Sequence, residues 1–274
     1  MKLFPKNAKT FLGRLVLYYL LIVAAMFLMQ RRLLYVPTHV TDKVAVQIGK
    51  KTGVVPWPDD GTEIVAYARE PVGAAKGTIV IFHGNGGFAL DRGYYAHALV
   101  PHGYRVLLAE FPGYGWRNGK RSEKTFVEDG LRTARLALDA FGRPLVLWGE
   151  SMGCGVASAI AREMPADVHA VVMLTPWDNL PEIAQARYPF FPAKWLSMDK
   201  YDNRTNLKDY VGPVVYVIAM NDEIIPTKHS RRLYDAGREP KRLIEFERAG
   251  HNSWPVSALE SWWTEVIEFI EAEK

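Results

Sequence analysis

The sequence predicts an α/β domain with a mostly parallel central sheet flanked by helices, a small helical cap and an N-terminal transmembrane helix. Three observations lead to this prediction. Short apolar runs alternate with stretches of helical periodicity, one long segment lacks any strand pattern, and a continuous apolar run stands near the N-terminus. The 274 residues suffice for one large domain with a full core and a small appendage.

The N-terminal segment carries an unbroken apolar run over residues 15–29. About twenty residues cross the ~30 Å core of a bilayer. Extending the run back to Thr10 reaches that length and includes Arg14, whose charge can extend to the headgroups. We expect residues 1–34 to form a membrane anchor and residues 35–274 to form the α/β domain. A signal peptide cleaved near residues 23–25 and a buried helix of the domain are the alternatives.

Charge is distributed unevenly along the chain, whose formal net charge is +4. The first 32 residues contain no acidic side chain and six basic ones, which are Lys2, Lys6, Lys9, Arg14, Arg31 and Arg32. The remainder therefore has no basic excess of the kind that a nucleic-acid surface needs, and we expect no nucleic-acid partner. Four basic residues before the apolar run favour a cytoplasmic N-terminus and a non-cytoplasmic domain, although Arg31 and Arg32 oppose this orientation.

Six apolar runs without alternation predict strands that are buried on both faces of a parallel sheet. They are residues 78–82, 105–109, 145–148, 170–174, 214–219 and 242–246. Two further segments, 44–48 and 62–68, have the pattern of antiparallel edge strands. Helical patterns are found at residues 91–100, 122–141, 153–163 and 254–272. Strands and helices thus alternate as in a doubly wound domain.

Residues 175–210 are longer than a normal connection and are rich in aromatic residues and prolines. We expect them to form a small helical cap over the functional site. The aromatic side chains suit either an apolar group of a substrate or simple packing on the core. Four aspartates of this segment are expected to be solvated, and these are Asp178, Asp199, Asp202 and Asp209.

Residues 149–153 read GESMG, a G-x-S-x-G pattern between an apolar strand and a helix rich in small residues. A sharp strand-to-helix turn lifts the serine hydroxyl clear of the sheet, and it requires small flanking residues such as Gly149, Gly153 and Gly155. The helix N-terminus beyond the turn favours developing negative charge. Ser151 is therefore the candidate nucleophile, whereas Cys154 is expected to be a small packing residue.

A serine hydroxyl needs a base, and the base needs a carboxylate that orients it. With this type of turn, the acid and then the histidine follow the serine along the chain. Asp222 directly follows the run 214–219, and His251 lies between the last run and the last helix. The predicted catalytic residues are Ser151, Asp222 and His251. Glu223 is expected to point away from the site.

Residues 83–87 read HGNGG and follow the first buried run. A glycine-rich turn there can present a backbone N–H to a developing oxyanion. We expect the backbone amides of Asn85 and Met152 to form an oxyanion hole, with His83 supporting the turn. The single cysteine excludes an intrachain disulfide and a cysteine-based metal site. No metal-ligand spacing or phosphate-binding loop is found, so we expect no metal and no cofactor.

Five motifs in this order resemble the α/β-hydrolase superfamily, and within it the Bem46-like group of membrane-anchored serine hydrolases. They are HGNGG at 83–87, FPGYG at 111–115, GESMG at 149–153, NDEIIP at 221–226 and AGHN at 249–252. The similarity extends from residue 33 to His251. It departs at Arg117, where a serine is common, and we expect this difference to alter the pocket wall.

The resemblance implies an α/β-hydrolase fold and cleavage of carboxylic ester or thioester bonds, with a small-molecule or lipid ester as substrate. A serine at the turn argues against dehalogenase and epoxide-hydrolase chemistry, which would need an aspartate nucleophile. Two alternatives remain: an acyltransferase that uses the same residues, and a non-catalytic protein of this fold that binds a ligand or partner.

Overall fold

The computed structural model describes residues 6–273, so that Lys2 of the basic cluster and the rest of residues 1–5, with residue 274, lie outside the described residues. The first element is a 29-residue helix, α1 (Lys6–Leu34). Its segment Thr10–Leu34 is long and apolar enough to cross a membrane, and an 18-residue window within it has a mean hydropathy of 2.2. No part of that apolar window is buried in the protein, which is unlike the core helix of a soluble domain.

The described residues form ten strands and nine further α-helices. The strands are β1 (Val36–Pro37), β2 (Val55–Trp57), β3 (Ala66–Arg69), β4 (Thr78–Phe82), β5 (Gly86–Gly87), β6 (Arg105–Ala109), β7 (Leu145–Glu150), β8 (Val168–Leu174), β9 (Val214–Ala219) and β10 (Lys241–Phe246). The helices are α2 (Asp42–Thr52), α3 (Gly93–Leu99), α4 (Glu123–Phe141), α5 (Met152–Glu163), α6 (Leu180–Arg187), α7 (Ala193–Leu196), α8 (Asn203–Leu207), α9 (Thr227–Ala236) and α10 (Ser261–Ala272).

Eight strands form the central sheet in the order β10-β9-β8-β7-β4-β6-β3-β2, and β1 pairs separately with β5. The six strands from β10 to β6 are parallel, whereas β3 and β2 join antiparallel at one edge. All six apolar runs are strands, which confirms the predicted parallel sheet. The sequence prediction missed β2, because its three residues, Val-Pro-Trp, are too few to show a periodicity.

Two apolar cores lie on opposite faces of the sheet, as the alternation along β4 shows. Val80 and Phe82 belong to one core, and Ile79 and Ile81 belong to the other. Helices α4 and α5 contribute to the first core, whereas α3 and α10 contribute to the second. A strand buried on both faces can contain apolar residues at every position, which explains why these runs do not alternate.

Three sequence predictions about local structure are wrong. Residues 44–48 belong to α2 and do not form a strand, because Thr41 caps the helix N-terminus and Gly53 ends it in the left-handed conformation. The predicted strand at 62–68 is shorter and lies at Ala66–Arg69. The last helix begins at Ser261 rather than at residue 254, since Trp254 and Pro255 lie in the loop that precedes it.

The segment between β8 and β9 is helical, as predicted for the cap, and contains α6, α7 and α8. Two of its aspartates are buried, which corrects the expectation that all four are solvated. Asp199 is 5% exposed and accepts two hydrogen bonds from the guanidinium of Arg31, both 2.9 Å long. Asp178 is 3% exposed and lies 2.7 Å from Nδ1 of His229. Both carboxylates are buried because each has a partner.

Arg117 does not line the cavity beside Ser151, so the expectation that it alters the pocket wall is wrong. Its side chain is 2% exposed and donates to both carboxylate oxygens of Asp129, at 2.6 and 2.8 Å. It also donates to Oε1 of Glu63 at 3.0 Å and to the carbonyl of Glu110 at 2.6 Å. Arg117 therefore links the loop after β6 to α4.

We predict that Arg117→Met lowers the free energy of unfolding by about 3–5 kcal/mol, because it leaves the carboxylate of Asp129 without its main partner. Arg132→Met is the control, since Arg132 pairs with Glu63 and Asp129 but its side chain is 48% exposed. This second change should cost less than about 1 kcal/mol. Urea unfolding of the detergent-solubilised protein measures both values, and equal losses would contradict the prediction.

Candidate functional site

Ser151 stands in a strained turn between β7 and α5. Its backbone has φ 50° and ψ −115°, a conformation that residues other than glycine rarely adopt. Close packing around it leaves no room for larger neighbours. A Cβ at Gly149 would lie 2.5 Å from the backbone of Cys154, and one at Gly153 would lie 1.9 Å from the carbonyl oxygen of Phe82. The turn therefore depends on glycine at these two flanking positions.

The structure brings the three predicted catalytic residues into one hydrogen-bonded line. Nε2 of His251 lies 2.9 Å from Oγ of Ser151, and Nδ1 of His251 lies 2.7 Å from Oδ2 of Asp222. The side chains of His251 and Asp222 are 7% and 2% exposed. With Nδ1–H donating to the carboxylate, Nε2 is free to accept the proton of the serine hydroxyl.

Asp222 is fixed by the loop after β9. Its Oδ1 accepts hydrogen bonds from the backbone amides of Ile224 at 2.9 Å and Ile225 at 2.7 Å, which leaves Oδ2 for the histidine. The adjacent Glu223 does not point away from the site, contrary to the sequence prediction. Its Oε2 accepts a hydrogen bond from the backbone amide of His251 at 3.0 Å, and its side chain lines the cavity. Glu223 thus fixes the loop that carries the histidine.

The two predicted oxyanion-hole residues, Asn85 and Met152, both line the cavity beside Ser151. Met152 is the first residue of α5, so its amide has no acceptor within the helix. The loop of Asn85 is fixed from the other side by the segment that follows α1. The Asn85 side chain donates to the carbonyl of Leu34 at 2.7 Å, and the Asn85 carbonyl accepts from the amide of Val36 at 3.2 Å.

His83 lies beneath this loop and pairs with a buried glutamate. Its Nε2 is 2.8 Å from Oε1 of Glu110, and the two side chains are 1% and 0% exposed. Glu110 also accepts hydrogen bonds from the amides of Ala89 and Phe111, each 3.0 Å long. His83 therefore supports the turn, as predicted, and does not reach Ser151.

A second buried charge pair, which the sequence prediction missed, adjoins Ser151. Glu150 accepts hydrogen bonds from Nη2 of Arg92 at 2.8 Å and from the hydroxyls of Tyr94 and Tyr95 at 2.9 and 3.2 Å. Burial alone would raise the pKa of the Glu150 carboxyl, but the Arg92 guanidinium and the hydroxyls lower it below its ordinary value. Glu150 is therefore ionised at neutral pH, and Arg92 balances its charge within the cavity wall.

A cavity of about 590 Å³ opens beside Ser151. Its walls come from the loop of residues 84–87, from the cap and from the C-terminal part of α1, between Met26 and Leu34. The sequence prediction treated α1 as separate from the site and therefore missed these wall residues. The half-buried wall positions Met26, Gln30 and Leu34 of α1 recur at intervals of four residues, which marks one helix face. Residues 15–29 are apolar on every side of the helix, so the sequence contains no signal that distinguishes this face.

Asp178, Glu182 and His229 offer ligand atoms within 4.8 Å of one another, an arrangement that could hold a metal ion. A guanidinium already lies among them. Nη2 of Arg232 is 2.8 Å from Oδ2 of Asp178, 3.1 Å from Oε2 of Glu182 and 2.7 Å from Nδ1 of His229. The arrangement therefore fits an ion-pair cluster that fixes α6 of the cap to α9.

Cys154 is fully buried in α5, one turn beyond Ser151. Burial raises the pKa of its thiol well above the ordinary value. The sulfur lies 3.2 Å from the carbonyl oxygen of Gly149 and 3.3 Å from that of Leu174. Cys154 is thus a neutral packing residue, as predicted, because a reactive cysteine needs accessible thiolate.

Comparison with known proteins gives matches over most of the chain. A family model described as serine aminopeptidase, S33, matches residues 73–201. An uncharacterised protein of Mycobacterium tuberculosis is 30% identical over 229 residues, which cover 81% of this chain and 80% of that protein. Lysophosphatidylserine lipase ABHD12 of Xenopus tropicalis is 25% identical over 227 residues, which cover 75% of this chain and 58% of the lipase.

The fold also matches solved structures. The crystal structure of monoacylglycerol lipase from Paleococcus ferrophilus superposes with a TM-score of 0.57 and 20% sequence identity, over 76% of this chain and 99% of that one. At this identity the likeness bears on the fold alone. The chain belongs to the α/β-hydrolase superfamily.

Proposed function

We propose that this protein is a serine hydrolase that cleaves carboxylic ester or thioester bonds through an acyl-enzyme intermediate. The observation that carries the proposal is the line of hydrogen bonds from Ser151 through His251 to Asp222 at the wall of a cavity. A serine hydroxyl paired with an oriented imidazole is the arrangement that activates serine for attack on a carbonyl carbon.

In the first half of the reaction, Oγ of Ser151 attacks the carbonyl carbon while Nε2 of His251 takes the hydroxyl proton. Asp222 stabilises the imidazolium that forms and keeps its Nδ1–H toward the carboxylate. The backbone amides of Asn85 and Met152 donate to the oxyanion of the tetrahedral intermediate. When the intermediate collapses, the bond to the leaving alcohol or thiol breaks, and that group takes the proton from His251.

In the second half, water attacks the carbonyl carbon of the acyl-enzyme. His251 takes a proton from this water, and a second tetrahedral intermediate forms on Ser151. Its collapse releases the carboxylic acid, and the proton on His251 returns to Oγ of Ser151. The cycle consumes one water and leaves the three side chains in their starting states, so no external co-reactant is needed.

We propose that the substrate is a lipid or another acylated molecule whose acyl group is held by an ester or thioester bond. Apolar side chains of α1 and the cap line much of the cavity wall, among them Met26, Leu34, Ile183 and Phe191. Such a wall suits an acyl chain better than a polar group. The similarity to a lysophosphatidylserine lipase supports the same substrate class.

We further propose that residues 1–34 anchor the protein in a membrane, with the catalytic domain on the non-cytoplasmic side. The length and hydropathy of Thr10–Leu34 support the anchor. The excess of basic residues before the apolar run supports the orientation. Protection of the domain from protease in sealed vesicles of known orientation tests the side on which it lies.

We predict that Ser151→Ala lowers kcat for a short p-nitrophenyl ester by about 10⁶-fold, because it removes the nucleophile. The same change should abolish covalent labelling by a fluorophosphonate probe. Ser197→Ala is the matched control, since Ser197 also lines the cavity but bonds to the carbonyl of Ala193. Labelling that persists in Ser151→Ala would refute the assignment of the nucleophile.

Asp222→Asn should lower kcat by about 10⁴-fold, because an amide favours the wrong tautomer of His251. Asp178→Asn is the control, since Asp178 forms an equally short and buried pair with His229 outside the cavity. Steady-state kinetics on the short ester measure both variants, and kcat should not change in the control. Similar kcat values for Asp222→Asn and the unmodified protein would rule out the proposed role of Asp222.

Deleting residues 1–25 should release the protein from membranes into the supernatant of an alkaline wash, because most of the apolar run is gone. The deletion retains Gln30, Arg31 and Leu34, which bond to the cap and to the side chain of Asn85, so hydrolysis of a short soluble ester should persist. Sedimentation followed by immunoblotting measures the partition. Release of the full-length protein by the same wash would contradict membrane anchoring.

A further inference from the structure

A second cavity adjoins the one that contains Ser151. It has a volume of about 470 Å³ and lies between α1 and the cap segment 187–191. Four residues line both cavities, and these are Met26, Arg187, Tyr188 and Phe191. The two spaces are therefore neighbours with a common wall, and the second is called the helix groove below.

The cap contacts α1 on both sides of the helix groove. Within the groove, the hydroxyl of Tyr19 donates to the carbonyl of Phe190 at 3.0 Å. Beyond it, toward Ser151, Gln30 donates to the carbonyl of Leu196 at 3.2 Å, and Arg31 pairs with Asp199. The groove itself extends along α1 from Tyr19 to Met26, seven residues or about 10 Å of the helix axis, and lies within the apolar segment.

The lining of the helix groove is suited to a lipid chain. Among the described residues, its lining is apolar or aromatic apart from Arg187. The helix side is formed by Tyr19, Ile22, Val23 and Met26, all within the segment that is long and apolar enough to cross a membrane. The adjacent cap carries Phe190 and Trp195, which are 88% and 78% exposed. Large exposed aromatic side chains beside such a helix suit contact with lipid.

We propose that the helix groove is a lateral entrance from the bilayer, through which the acyl chain of a membrane lipid ester reaches Ser151. The chain lies along α1 between Tyr19 and Met26, and the ester carbonyl lies in the adjoining cavity. This inference rests on the proposed hydrolase function and on membrane anchoring, and it adds the substrate class and its route. The enzyme then selects long-chain esters that partition into the membrane, because only they fill the groove.

The test compares two esters on the full-length protein reconstituted in phosphatidylcholine vesicles. 4-Methylumbelliferyl acetate is too short to need the groove, whereas 4-methylumbelliferyl palmitate must place its chain there. Val23→Trp fills the groove with a larger side chain on α1, away from Ser151. Leu21→Trp is the matched control, since it lies two residues earlier and therefore on the other side of the helix.

We expect Val23→Trp to lower kcat/KM for the palmitate between about 10-fold and 200-fold, as for other steric changes in apolar pockets. Its kcat/KM for the acetate should not change, and Leu21→Trp should match the unmodified protein with both esters. Unchanged palmitate hydrolysis in Val23→Trp would overturn the proposal that the groove is the entrance, and it would leave the proposed hydrolase function intact.

Two further outcomes are decisive. If the unmodified protein hydrolyses neither ester, the proposed function fails and the entrance fails with it. If Val23→Trp loses both activities, Ile22→Trp replaces it, because Ile22 lines the same groove and is 59% exposed, so that a larger side chain is tolerated there. Selective loss of palmitate hydrolysis in Ile22→Trp supports the entrance, and equal loss of both activities overturns it.

Discussion

The strained backbone of Ser151 is the constraint on which the rest of the site depends. A residue with φ 50° persists only when its surroundings hold it in place. Here α5 approaches β7 and the end of β4 so closely that no space remains for a Cβ at Gly149 or Gly153. The amide of Ser151 also donates to the carbonyl of Leu174 on the neighbouring strand at 2.8 Å. The parallel sheet therefore fixes the hydroxyl at its carboxyl edge, where the loops after β9 and β10 bring the acid and the histidine.

Helix α1 and the candidate site form one structural unit. The segment directly after α1 pairs with the loop of Asn85 through β1 and β5, and the hydroxyl of Tyr35 lies 3.1 Å from that of Tyr201 in the cap. Tyr201 in turn packs on α5 where Gly155 leaves space for its ring. A shift of α1 would therefore reach the loop of Asn85 and the cap together. This coupling explains how a helix that is long and apolar enough to cross a membrane also forms a wall of the cavity.

Sequence patterns predicted the elements that are repetitive or sterically demanding. The six parallel strands were identified because strands buried on both faces contain apolar residues without interruption. The edge of the sheet was predicted less well, since β2 is short and 44–48 has the length of a strand but belongs to a capped helix. Charged side chains were predicted poorly, because the burial of Asp178 and Asp199 depends on partners, His229 and Arg31, that are distant along the chain.

The sequence by itself determined the turn at Ser151 and the order in which Asp222 and His251 follow it. It could do so because the turn is a local steric requirement for glycine, and because Asp222 and His251 each lie in the loop that follows a recognisable strand. Only the tertiary structure decided which surfaces enclose the cavity. Its walls join α1, the loop of Asn85 and the cap, which begins more than 140 residues after the end of α1. Contacts between such distant segments depend on the shapes of folded surfaces, which leave no periodic signal in the sequence.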